Sequence, residues 1–185
     1  RAGHTELLSI LNTLDRDDFD TKSWGLIREL RGDILSIQGR WDEAEIEYDA
    51  ATRHVGRSKI SPELARLLSA RADIAVKRGA MDDALELHRK ALQIQTHTDI
   101  RDAVGAARSY NNMGYIFRHR KDTKRALEVY GNVEELLEAE ADPELLDVRI
   151  KLASALLEMG EIDRAREHAL SSYEETENSD NIGLH

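Results

Sequence analysis

The chain of 185 residues contains no cysteine, only two prolines and few aromatic residues, 5% of the total. Without cysteine there are no disulfides, no thiolate metal sites and no cysteine nucleophile, and the composition fits a reducing, cytoplasmic interior better than a stapled secreted domain. No window holds the roughly 18 uninterrupted apolar residues that a membrane span requires, and no secretory signal is visible. Net positive charge is missing too. The formal charge is −10, which argues against nucleic acid or an anionic membrane as the main partner, since both reward a basic surface. What remains is rich in Ala, Leu, Glu and Arg, and with so few helix breakers this favours helix throughout.

The chain repeats itself. Gly39 precedes Trp41, Ala44, Tyr48 and Ala51; Gly79 precedes Met81, Ala84, His88 and Ala91. Lys121 precedes Thr123, Ala126, Tyr130 and Val133, and Gly160 precedes Ile162, Ala165, Ala169 and Ser172. The leading residues recur about every 40 positions, and a small residue (Gly32, Ala72, Gly114, Ala153) stands seven before each. A fixed period of this size marks a stacked-repeat architecture with two helices per unit. The spacing predicts units at about 20–60, 61–98, 99–141 and 142–180, with partial units at 1–19 and 181–185 in a single solenoid domain.

Local signals place the helices. Ser61-Pro62-Glu63 and Asp142-Pro143-Glu144 each set a capping residue before a proline at the first helical position. The helices that follow run to Arg78 and Met159, where Gly79 and Gly160 take a left-handed turn. Partner helices open at Asp82, Asp122 and Asp163, with acidic residues at the favourable end of the helix dipole. Ala84, Leu85, His88, Ala91 and Leu92 form a helical stripe. Two antiparallel helices joined by a short turn approach closely only through short side chains, so Gly114 is expected against Ala126. Tyr130 is then expected to fill the space towards the next hairpin, and each hairpin buries its outer face by stacking on a neighbour.

Gly114-Phe117-Lys121-Thr123-Ala126-Tyr130-Val133 and, more tightly, Gly32-Leu35-Gly39-Trp41-Ala44-Tyr48-Ala51 resemble the tetratricopeptide repeat. The resemblance covers roughly residues 20–178, and it implies an all-α, right-handed superhelical solenoid of antiparallel helix-turn-helix repeats. The family period is usually about 34 residues. The longer spacing here is similar to the repeats of kinesin light chain, spindle-orientation adaptors and bacterial signal-transduction activators. Arg31 and Arg71 occupy a packing position, and their stems are expected to lie along apolar surface with the charge outward. Lys121 replaces the turn glycine. His88 replaces a packed aromatic and is expected to be packed and hydrogen-bonded.

Motifs for chemistry are lacking. There is no phosphate-cradling glycine loop, no His-Glu-x-x-His, no Gly-x-Ser-x-Gly and no dinucleotide fingerprint. The seven histidines are scattered without metal-ligand spacing. No catalytic residue, metal site or cofactor is therefore assigned, and the chain reads as non-catalytic.

The resemblance implies that the first helix of each unit lines a groove for a protein segment. Carried over by position, the third unit offers Arg108, Asn111, Asn112, Tyr115, Arg118 and His119. The second offers Arg66, Ser69, Asp73 and Lys77; the fourth offers Asp147, Lys151, Ser154 and Glu158; the first offers Glu29 and Asp33. Asn112 is the sharpest of these, because a carboxamide both donates and accepts and so matches a peptide unit without reading its side chain. Arg66, Lys77, Arg108, Arg118 and Lys151 form a basic strip that favours an acidic peptide, or else pair with nearby carboxylates. Asp73 and Glu29 intrude on the family's carboxylate clamp.

Three functions follow as expectations: a protein-interaction scaffold binding a peptide or partner domain, a sensor arm of a larger signal-transduction ATPase or transcription regulator, and a self-association module. The first residue is Arg1, the Leu7, Leu8, Leu11 and Leu14 stripe resembles a second helix lacking its first, and Asp180-Asn181-Ile182 resembles Thr98-Asp99-Ile100. A further first helix is thus expected near Asn181, with the parent protein continuing on both sides. The Leu7–Leu14 stripe and Ile182 with Leu184 are the apolar flanks that self-association would use.

Overall fold

A computed structural model describes residues 2–55, 60–97, 99–139 and 146–182, of which residues 2, 138, 139, 147 and 175–182 are described in their backbone alone. Among the described residues every regular element is helical. The helices are α1 (Ala2–Asn12), α2 (Thr21–Ile37), α3 (Trp41–His54), α4 (Pro62–Lys77), α5 (Met81–Gln95), α6 (Ala103–His119), α7 (Thr123–Ala139), α8 (Leu146–Glu158) and α9 (Ile162–Ile182). They divide into two compact units, Arg1–Ile100 and Arg101–His185. No described helix is long and apolar enough to cross a membrane.

Within the first unit α2 pairs with α3 and α4 with α5, while α3 packs on α4 and α1 on α2. Leu8 and Leu11 of α1 join Ile34, Leu35, Ala44, Tyr48, Leu67 and Ile74 in one buried cluster. Two of the leucines expected on an apolar flank are thus covered by their own chain, and Leu14 packs against the same cluster; Leu7 and Ile10 stay exposed. The side chain of Ile182 and all of Leu184 lie outside the described residues. Within the second unit α6 pairs with α7 and α8 with α9, and α6 also meets α8.

Each hairpin turns in the same way. Gly39, Gly79 and Gly160 take φ of 77°, 77° and 82°, and Lys121 takes 59° without the freedom of glycine. In each turn an amide bonds back over five residues, Arg40 to Leu35, Ala80 to Ala75, Asp122 to Phe117 and Glu161 to Leu156, at 2.8–2.9 Å. Because that bond closes the turn, the following helix resumes at once. α5 and α9 start at Met81 and Ile162, so Asp82 and Asp163 sit in the first turn and not at the cap. Asp122 does cap α7, accepting from the Arg125 amide at 3.1 Å. Ser61 caps α4 through the Leu64 amide, with Pro62 behind it. Asp142-Pro143-Glu144 lies outside the described residues. α9 is helical through Asn181, where the spacing places the opening of a further unit.

The small residues meet rings. A Cβ placed on Gly32 would lie 2.7 Å from the Tyr48 ring, and one on Gly114 would be tighter still against Tyr130. Tyr130 therefore fills space inside its own hairpin, against Gly114, where the sequence reading has Gly114 meeting Ala126 and the ring turned to the next hairpin. The tyrosine is long enough to cross the helix pair, and only glycine leaves room for it.

Arg31 does not turn its charge outward. It is buried, donates to the carbonyl of Leu11 near the end of α1, and stands 5.1 Å over the Trp24 ring. The final carbonyls of a helix lack intrahelical donors, which makes them a natural acceptor for an inward guanidinium. Arg71 is partly buried and pairs with Glu45 at 2.9 Å.

Candidate functional site

The exposed faces of the first helices are built by register. On α2, Leu26, Leu30, Asp33 and Ile37 fall on one solvent-facing stripe, opposite the inward Trp24, Ile34 and Leu35. On α4 the same register carries Arg66, Asp73 and Lys77, all exposed, with Ser69 half-buried. Charges on this face are largely matched to one another. The Arg66 guanidinium grips Glu29 with two contacts, Nε at 2.6 Å and Nη2 at 2.7 Å. Burial pushes the Glu29 carboxyl above its usual range, and Arg66 only partly offsets this. Tyr48 donates its hydroxyl to Asp33 at 2.8 Å. Its pKa is raised by burial first, then by Asp33, with Glu29 and Asp73 adding to the same field.

On the second unit, Arg108, Tyr115 and His119 of α6 are exposed, and Asn112 and Arg118 are half-buried. The Tyr115 ring lies 5.8 Å from that of His119, and the Arg118 guanidinium stands 5.8 Å from the Tyr115 centroid. Arg118 also pairs with Glu158 of α8. Lys151 and Ser154 of α8 are exposed. Asn111, by contrast, is buried and belongs to the packed side of α6. Of the five-residue basic strip, Arg66 and Arg118 thus already hold carboxylates. The Asp147 side chain lies outside those described.

Residue-by-residue carry-over misses Leu26, Leu30 and Ile37, which are 48%, 40% and 66% exposed. The signal for them is present: α2 carries more apolar residues than one buried stripe needs, and the surplus recurs at four, three and four through Asp33. A cavity of about 370 Å³ opens beside Leu26, walled by Gly25, Val55 and Leu67 with Glu29 and Glu63 at its edge. A Cβ on Gly25 would come within 3.0 Å of the His54 Cβ, so glycine here permits the close approach of α2 and α3 that shapes this wall. A second cleft of about 420 Å³ lies on the second-helix side, where Glu45, Asp83 and Glu86 face Arg71, Arg78 and Lys90. Its charges answer one another. Among the described residues no group of three or more His, Asp or Glu side chains is placed to hold a metal ion.

A family model for the tetratricopeptide repeat matches residues 63–139. That segment consists of tetratricopeptide repeats. The hairpins outside it have the same fold, since solved repeat structures superpose on nearly the whole chain. The crystal structure of BtubC (BKLC) from P. vanneervenii is 18% identical, covers 98% of this chain and 73% of its own, and has a TM-score of 0.71. A putative kinesin light chain with nearly identical TPR-like repeats from Podosopora anserina is 14% identical over 96% of this chain and 85% of its own, with a TM-score of 0.65. The N-terminal domain of stress-induced protein-1 (STI-1) from C. elegans is 17% identical, covering 74% of this chain and 98% of its own, with a TM-score of 0.55. At such identities the likeness is one of fold. No curated protein sequence matches the chain. Tetratricopeptide repeats generally mediate protein–protein interaction.

Proposed function

We propose that this tetratricopeptide repeat protein is a non-catalytic interaction module whose first-helix faces hold a segment of a partner protein. The observation that carries the reading is the exposed Tyr115, flanked by Arg118 and His119 one turn on and by Asn112 one turn back. An aromatic side chain left in water beside cations gives an interface a rigid anchor with little ordering cost. The Asn112 carboxamide is suited to a backbone amide of the bound segment. Arg108, Arg118 and Lys151 favour carboxylates in the part of the segment that lies on this unit, and such a carboxylate would take over Arg118 from Glu158. Arg66, Ser69, Asp73 and Lys77 are the corresponding residues of the first unit.

Peptides selected from a random display library against the intact chain test this. Titrated by anisotropy, they are expected to bind Asn112→Ala and Tyr115→Ala about tenfold more weakly than wild type, on the order of 1.4 kcal/mol each. Unchanged affinity for both variants, or no selectable binder, would end the proposal.

A further inference from the structure

We infer that the cavity between α1 and the α2–α3 hairpin is a binding site for a small aliphatic carboxylate, with the Arg31 guanidinium as its counter-ion. The site is built from other residues than the segment-binding faces and does not depend on that reading.

The charge requirement comes from a complete count of the ionised groups at the cavity. Those that line it are Arg31, Arg40, Glu43 and Glu47. Glu43 is taken by Arg40 in two contacts, at 2.6 and 2.7 Å. Glu47 is taken by Arg28 in two contacts, at 2.9 and 3.1 Å. Arg28 and Glu47 are also the charges that act on Arg31, with opposite signs. Three guanidiniums therefore stand against two carboxylates, both of them committed. Arg31 is the cation left over, with the Leu11 carbonyl and the Trp24 ring for company. Burial lowers its pKa, as it does for a cation whose lost hydration no anion replaces.

The donors and the walls narrow the ligand further. Nη2 of Arg31 donates to the Leu11 carbonyl, and Nε is buried without an acceptor. Nη1 has no acceptor among the described residues either, yet it keeps accessible surface, so the guanidinium meets the cavity by its outer edge. A carboxylate on that edge gains charge-assisted hydrogen bonds and supplies the single negative charge that is missing. The remaining wall is hydrocarbon, with Leu8 and Leu35 buried and Ile46 exposed. A short aliphatic tail covers it and releases water from it, at roughly 25 cal/mol per Å². The volume, about 180 Å³, lies below the roughly 300–1,000 Å³ of sites for larger ligands and suits a short branched acid. A phosphate dianion would bring a charge too many and leave the leucines uncovered.

The test is a titration of isovalerate into the intact chain, followed by protein NMR chemical shifts, with an expected Kd of about 1 mM or tighter. Isovaleramide has the same shape without the charge, acetate lacks the tail, and inorganic phosphate lacks both features. Each is expected to bind at least about tenfold more weakly. Arg31→Gln is expected to weaken isovalerate by about the same factor. Since that change also removes a tie to α1, two variants at exposed positions separate binding from folding. Ile46→Asp sets a carboxylate beside the cavity and is expected to weaken isovalerate at least about tenfold. Glu43→Gln frees Arg40 and is expected to tighten it about threefold, a gain that loss of structure does not produce. No binding of isovalerate, equal binding of isovaleramide, unchanged affinity in Arg31→Gln or Ile46→Asp, or no gain in Glu43→Gln overturns the inference.

Discussion

At Gly32 and Gly114 the volume that a methyl group would take already belongs to the rings of Tyr48 and Tyr130. The repeat register sets Ala72 opposite the shorter ring of His88 and Ala153 opposite Ala169, so the two positions trade volume from unit to unit. Gly114→Ala is therefore expected to cost about 1–3 kcal/mol by overpacking, exceeding the gain in helix propensity of about 1 kcal/mol. Adding Tyr130→His, which rebuilds the Ala72–His88 pairing, is expected to recover part of that cost in urea unfolding; losses that merely add would dismiss the compensation. The same position explains His88. Tyr48 carries a hydroxyl to Asp33 at 2.8 Å, whereas the imidazole stops 3.9 Å from Asp73, and neither ring nitrogen has a hydrogen-bond partner among the described residues. The sequence reading has His88 packed and hydrogen-bonded; it is packed only. Its complete burial pushes the pKa from 6.5 down to about 4. The folded protein thus keeps the ring neutral while the unfolded chain takes up a proton. Stability is expected to be full above pH 6.5, to fall as pH drops from there towards 4, and to level off below, a loss on the order of 2–3 kcal/mol. His88→Leu is expected to flatten that part of a stability–pH curve, and a fall of the same size in the variant would contradict the assignment.

At the scale of elements, the turns were the most legible feature. A left-handed residue followed by a five-residue back-bond is a local device, and its glycine stands in the sequence at three of the four places. Lys121 adopts the same conformation at φ 59° and bears the strain of its Cβ, so Lys121→Gly is expected to raise stability by about 1 kcal/mol. An unchanged or lower urea midpoint would show that the lysine makes up for its backbone elsewhere. Helix starts were less legible, by one residue at Met81 and Ile162, because the turn geometry and not the acidic side chain decides where the helix resumes. The inward path of Arg31 was not legible at all. An arginine on an apolar position serves equally well with its charge outward, and only the presence of the α1 carboxyl end, twenty residues away, supplies an acceptor inside.

For the molecule as a whole, period and composition by themselves determined that the chain is helical and that its helices pair in hairpins. Those conclusions rest on local constraints, a turn residue, a cap and a 3.6-residue stripe, repeated at a fixed spacing along the chain. Contacts between hairpins decided the rest. Asn111 and Asn112 are adjacent and identical in type, yet one is buried and the other half-buried. α2 is apolar on two sides, and only the packing of α1, α3 and α4 around it tells which leucines are covered and which remain as surface. For Arg66 and Arg118 the sequence left a basic strip and pairing with carboxylates equally open, and both hold carboxylates on neighbouring helices. A side chain's periodicity states which face it shares, but its exposure and its charge partner depend on helices from elsewhere in the chain, and the sequence alone does not say how those come to lie against it.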